Sequence, residues 1–319
     1  MRIGRFVTPL PIHGRSQEAT RKMADHVFTT LTEPVFERDP DGGFTVYDMV
    51  FEDGDGGLWA YPGHTSEDSR VDPASWAAQH SVPAGRIGPV GPGIAPQQWP
   101  RDPTTGMPMM HIITLWLPDH FRRHGPDLPG IALFQGAGEA FMPLPDTPDP
   151  ADPFIIDLHH HRPHPQQILL TDILDLYFAA IWLTADELTQ IGSPPADRRR
   201  PGEHAHDGLP RHAWNHDDPP MLVRLTPRRN DPNAGIAPVE RDATTETPYL
   251  STWGDGDSHD WADRLQWFNH LGGTVFPSQW IPDGLTPYYL DLFELPGMNI
   301  GTGTLQYDLE SNVFDWACG

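Results

Sequence analysis

Eight of the seventeen histidines in the 319-residue chain fall into two dense groups. His159, His160, His161 and His164 are the closest set of potential metal ligands. A strand over 154–160 would alternate its side chains between two faces. His159 and His161 would then share one metal ion, with His164 beside them and His160 pointing away. The competing reading is a solvated turn ahead of Pro163 and Pro165, since the usual spacing of helix-borne zinc ligands is absent. His204, His206, His212 and His216, with Asp217 and Asp218, form the second group. Its Pro- and Gly-rich surroundings suggest a flexible polar loop. EDGDGG (52–57) and WGDGDSHD (253–260) place oxygen ligands at alternate positions, as calcium loops do. Counted from Asp53 and Asp255, however, the twelfth residues are His64 and Gln266, not Glu. A hairpin turn and a helix N-cap are the better readings, the aspartates complementing the helix dipole.

Nucleophile and nucleotide motifs are missing. The chain has no G-x-S-x-G elbow, no P-loop and no G-x-G-x-x-G. Its single cysteine, Cys318, excludes an internal disulfide and a Cys-based zinc site, and its Trp-Ala-Cys setting suggests core packing. The most specific local feature is a repeated Gln-Trp element. Gln98 with Trp99 and Gln279 with Trp280 either line a shared binding groove, with Arg101 as an anion hook, or plug the two halves of the fold. The plug is the stronger reading. His270, ahead of Gly272 and Gly273, joins the groove candidates, although a histidine there, like His111 in an apolar run, is more often a hydrogen-bonded core residue.

The elements that position these residues are mostly strands. FTVYDMVF (44–51), MPMMHIITLWLP (107–118), GIALFQ (130–135), MLVRL (221–225), TPYYLDLFEL (286–295), TLQYDL (304–309) and VFDWA (313–317) have the expected composition. The first is apolar on both faces and must be covered on both. Helices fit 19–31 and 258–268, the latter burying Trp261, Leu265 and Phe268. Residues 166–191 suit either helix or strand, with Thr184 and Glu187 spaced as a capping box. Residues 81–98 read as a long loop. With 37 Pro and 30 Gly, the chain favours turns and short elements over a helical bundle.

Charge narrows the partners. Only 21 Lys and Arg face 44 Asp and Glu, for a net −23. Nucleic acid and anionic membranes are excluded as general partners, because both are bound through clustered basic charge. No apolar run approaches the roughly 20 residues that span a bilayer, and the N-terminus lacks an apolar signal region. The expected location is cytoplasmic. The expected partner is a cationic protein, drawn by the field, with simple solubility as the competing and stronger reading of the acidity.

APQQWPRDPTTGMPMMHIITLWLP (95–118), followed by a glycine-led strand, parallels FPSQWIPDGLTPYYLDLFELP (276–296), followed by another. Pro96, Gln98 and Trp99 match Pro277, Gln279 and Trp280, which predicts one strand arrangement over 95–135 and 276–309. WPRD (99–102), GMPMMHIITLWLP (106–118), GIALFQ (130–135), NHLGGTVFPSQ (269–279), NIGTGTLQYDLE (299–310) and FDWAC (314–318) resemble motifs of the YwqG-like family of bacterial proteins of unknown function. The resemblance implies an α+β fold, β-rich, built from two internally duplicated halves with antiparallel sheets and short helices. It assigns no catalytic residue and no cofactor. Some relatives lie near toxin genes, which implies a toxin-neutralising immunity role. The expected organisation is an N-terminal extension (1–90) packed on a YwqG-like domain (91–319). That domain comprises a first half (91–192), a mobile Pro/His-rich segment (193–248) and a second half (249–319). The expected function is a non-enzymatic binding protein. The alternative is a metal-dependent enzyme using a histidine cluster.

Overall fold

The computed structural model describes residues 31–62, 81–136, 143–144, 146–172, 174–199, 212–216, 218–239, 248–253, 258–266 and 268–319. His204, His206, residues 254–257 and all but the last residue of the 19–31 helix lie outside the described residues.

Alternating or continuous apolar runs build most of the strands, which are β1 (Val46–Glu52), β2 (Leu58–Trp59), β3 (Val82–Ile87), β4 (Gly91–Pro92), β5 (Met110–Trp116), β6 (Gly130–Gln135) and β7 (Gln167–Thr171). They continue as β8 (Tyr177–Leu183), β9 (Ile191–Gly192), β10 (Met221–Arg228), β11 (His270–Leu271), β12 (Tyr289–Phe293), β13 (Thr304–Asp308) and β14 (Phe314–Ala317). Among the described residues, twelve of them join one sheet in the order β14-β13-β12-β11-β1-β10-β3-β5-β6-β8-β7, with β2 beside β1. Every pairing is antiparallel.

One face of this sheet carries Tyr47, Met49 and Phe51 of β1, Val223 and Leu225 of β10, Leu133 of β6, Leu290 and Leu292 of β12 and Tyr307 of β13, all in one buried cluster. The sheet curls around that cluster until its ends meet. Phe178 of β8 packs on Phe314 of β14 with ring centroids 4.8 Å apart. Trp316 of β14 donates its indole N–H to Asp172, just past β7, at 2.6 Å. The antiparallel sheet is thus nearly closed, its last gap bridged by side chains. The outer face is covered twice: by Ile94, Trp99 and Leu188 over β5, β6 and β8, and by Tyr249, Val275, Ile281 and Leu285 beside Tyr289 of β12. No helix among the described residues is long and apolar enough to cross a membrane.

Several expectations are corrected. Residues 154–160 are not a strand but lie in a helix, α1 (Pro153–His160). Asp152 caps it by accepting from the Phe154 amide, and Pro153 opens the first turn, where its missing N–H costs nothing. Residues 81–98 are not a loop throughout, since they contain β3. A Cβ at Gly85 would lie 2.1 Å from the Thr114 carbonyl oxygen, so glycine lets β3 press against β5. The helix expected at 258–268 is only a 3-10 turn, Asp263–Leu265, and Trp261 is exposed. Cys318 is exposed rather than in the core. Residues 166–191 resolve into β7, β8 and the short helix α2 (Ala185–Thr189), whose Thr184–Glu187 capping box is present. The segments 95–135 and 276–309 each contribute an antiparallel neighbour pair, β5–β6 and β12–β13. β1 and β3, which precede residue 91, are inner strands of the sheet, and β10 sits between them.

The side-chain closure predicts a coupling between Trp316 and Asp172. In a double-mutant cycle of W316F and D172N, monitored by denaturant unfolding, the coupling energy is expected at about 1.5–3 kcal/mol, the range for a hydrogen bond to a carboxylate. Additive single-mutant effects would contradict closure by this bond.

Candidate functional site

The two Gln-Trp elements settle differently. Trp99 is fully buried. Its indole N–H donates to the Met109 carbonyl at 2.8 Å and its ring meets Phe134 edge-on. Gln98 ends a 3-10 turn, Pro96–Gln98, and is half-buried. Trp280 is half-buried and donates to Asp315 at 3.0 Å, while exposed Gln279 donates to the Cys318 carbonyl at 2.7 Å.

The histidines of 159–164 separate. His159 is exposed at the end of α1. His161 joins Arg101, Asp157 and Arg198 around a cleft of about 190 Å³. There Arg101 pairs with Asp157 and donates to the Gly106 carbonyl. Burial first, and then the Arg101 charge, lowers the His161 pKa. His164 instead lies 2.9 Å from Glu187 of α2. Burial would raise the Glu187 pKa, but hydrogen bonds from His164 and Thr184 bring it down to about 2. Among the described residues, no group of three or more His, Cys, Asp or Glu side chains is placed to hold a metal ion.

His270 belongs to a different arrangement. Thr226 of β10, Asp48 of β1, His270 of β11, Asp291 of β12, Gln306 of β13 and Asp315 of β14 are successive cross-strand partners. Their neighbours along each strand point into the core, so this row runs across the outer face. His270 donates through Nδ1 to the Gly272 carbonyl at 2.9 Å and holds Nε2 3.3 Å from Asp291. Gln306 donates to the same aspartate at 3.2 Å. Trp280 closes the row at Asp315.

Arg228, at the end of β10, fixes one end of this row. Its side chain is 2% exposed and sits between Asp48 and Asp231, with Nε–Asp48 at 2.7 Å and Nη1–Asp231 at 2.9 Å. Burial alone would lower its pKa, but the two carboxylates raise it above the ordinary arginine value. Asp231 also accepts from the Asn233 amide and the Thr274 hydroxyl, both at 2.9 Å. Burial opposes its ionisation, and Arg228 outweighs burial, so its pKa is lowered.

Asp231 is also one wall of an outer cleft of about 490 Å³, whose rim carries Leu250, Asp260 and Trp261. Leu250 is 51% and Trp261 39% exposed. Trp261 stacks on His259, and exposed Trp253 packs on Phe276 beside Leu265 of the cleft wall. Asp260 is exposed and its carboxylate makes no hydrogen bond or ion pair among the described residues. An aromatic face next to a carboxylate suits a cation, which gains from the ring quadrupole and from the carboxylate together. Comparison with protein-family models, curated proteins and solved structures returns no match for this chain. Sequence reasoning missed the cleft because it placed Trp261 on the buried face of a helix. The signal was the tract of aspartates ahead of Trp261, ascribed to capping.

Two outcomes follow. R228M, which strands Asp48 and Asp231 without a counter-charge, should cost about 3–5 kcal/mol in denaturant unfolding; a loss below about 1 kcal/mol would show that the pair holds nothing together. His111, fully buried between the Gly88 carbonyl and the Thr114 hydroxyl at 2.8 Å each, has its pKa pushed by burial down to about 3. Its contribution to stability is complete above the unfolded histidine pKa and is lost as pH falls from there toward about 3, by about 1.4 kcal/mol per pH unit. H111Q should flatten the acid limb of a stability–pH curve by about one proton, and an unchanged slope would contradict the neutral buried imidazole.

Proposed function

We propose that the protein is a non-enzymatic binding protein whose partner is a cationic protein, engaged through the Asp260–Trp261 cleft. The observation that carries this reading is the exposed Asp260 carboxylate beside the Trp261 face, on a chain of net charge −23. A basic side chain of the partner stacks on Trp261 and pairs with Asp260, while Leu250 supplies apolar contact. The acidic field speeds encounter, and the short-range contacts set residence time.

A cytoplasmic location and a toxin-neutralising role extend the proposal. They are supported by the YwqG-like resemblance and by a charge suited to masking a basic protein surface. Descent of the β5–β6 and β12–β13 pairs from one duplicated unit of an α+β fold belongs to the same proposal. Its support is the repeated Pro-x-Gln-Trp sequence ahead of each pair.

The test uses an arginine-rich peptide, alternating Arg and Gly, as the basic probe in isothermal titration. D260N and W261A are each expected to weaken binding about fivefold, the sum of one exposed ion pair or cation–π contact being on the order of 1 kcal/mol. D186N, which removes an equal charge from exposed α2, should leave affinity unchanged. Equal losses in D260N and D186N would mean that the acidity acts only as a diffuse field, and the cleft would lose its role.

A further inference from the structure

Beneath α2, the sheet carries polar donors that meet no acceptor among the described residues. Arg86 of β3 is 0% exposed. One of its nitrogens, Nη2, donates to the Leu188 carbonyl of α2 at 3.0 Å, but Nε and Nη1 have no hydrogen-bond partner. Burial pulls its pKa down to about 10, and no carboxylate contributes to that value. Arg86 stands opposite Thr114 of β5. Two residues further on the same face is Trp116, itself 1% exposed, whose indole N–H is also without a partner. Trp116 faces Gly130 of β6, and a Cβ at Gly130 would lie 2.7 Å from the Leu188 side chain, so Leu188 packs directly over this spot. Among the described residues, the remaining polar neighbours offer no negative charge. Thr114 is engaged by His111, and His111 is neutral.

Buried donors are almost always satisfied, and a buried guanidinium is almost always paired with an anion. Water could meet the hydrogen bonds but not the charge. Elsewhere in this chain the rule is kept: Arg228 has two carboxylates and Arg101 has one. We propose that this locus under α2 binds a small monovalent inorganic anion of the halide class, held at one unpartnered edge of the Arg86 guanidinium, through Nε or Nη1, and by the indole N–H of Trp116. The anion takes the place of the missing carboxylate and locks α2 onto β3 and β5. The site is independent of the Asp260–Trp261 cleft, which lies on the part of the outer face where the other end of β10 meets the 230–232 turn.

Crystals grown with sodium bromide should show an anomalous peak within hydrogen-bond reach of Arg86 Nε or Nη1. In thermal unfolding at constant ionic strength, replacing gluconate by chloride or bromide should raise Tm saturably, by about 2 °C for each tenfold increase above the dissociation constant. W116F should weaken the halide response several-fold and R86M should abolish it. If R86M does not fold, the bromide map of the wild-type chain decides alone. No anomalous peak at Arg86 in saturating bromide, or a Tm indifferent to the exchange of gluconate for halide, would overturn the site.

Discussion

Arg228 is the point on which the two flanks of the sheet depend. It ends β10, the strand that joins β1 and the β11–β14 flank to β3 and the β5–β8 flank. Its guanidinium binds Asp48 of β1 on one side and Asp231 of the following turn on the other. The carboxylate of Asp48 beside the buried cation fixes the register of β10 against β1, because a one-residue slip of β10 would turn Arg228 to the opposite face, away from Asp48. The turn is fixed in the same step: Asp231 holds Asn233 and Thr274, and Asn233 reaches the Leu250 carbonyl at 2.8 Å. Leu250 and Asp231 then bound the outer cleft. A pair of this kind contributes more through uniqueness of structure than through net stability, and its cost appears when one partner is removed.

Near-closure of the sheet explains why so many bulky residues are fully buried in a chain with few helices. A curled antiparallel sheet offers one enclosed face, and Tyr47, Phe51, Trp182, Phe178 and Tyr307 fill it. Wrapping also reduces the exposed edge to β7 and β14, whose ends are tied through Trp316 and Phe314. The outer face is then free to hold polar rows and covers, and it is there that the cleft and the Arg86 locus lie. Histidine follows the same division. His111 is kept neutral under the cover of the outer face, whereas His159 is exposed on a helix.

Strands with clear alternation or continuous apolar character were legible in the sequence: β1, β5, β6, β12, β13 and β14 coincide with the runs that suggested them. β3 was not, because Pro83 and Gly85 signal a loop locally, while the structure uses them at a register shift and a close approach. Residues 154–160 were read as a strand so that His159 and His161 would share a face, whereas Asp152 and Pro153 were the stronger local signal for a helix. The row from Thr226 to Asp315 was invisible for a more general reason. Its members lie on six strands far apart in the chain, and only the register brings them side by side. Of the groove candidates, His270 and Trp280 share that row, and Trp99 is a plug between β5 and its cover. Arg101 and His161 do share a small cleft, but for a reason not readable from spacing: α1 carries Asp157 to Arg101.

Scaffold and proposed docking site are therefore separate. The core, the Arg228 pair and the polar row hold the sheet in one register, and the cleft at the turn after β10 presents an aromatic face and a carboxylate to solvent. The most direct measurement of that claim is an NMR titration of the eleven tryptophan indole resonances with the arginine-rich peptide. Trp261 should shift saturably, with the cleft-wall neighbour Trp253 following, while buried Trp99 and Trp116 stay fixed. A Trp261 resonance that does not move as the peptide saturates the protein would contradict the account.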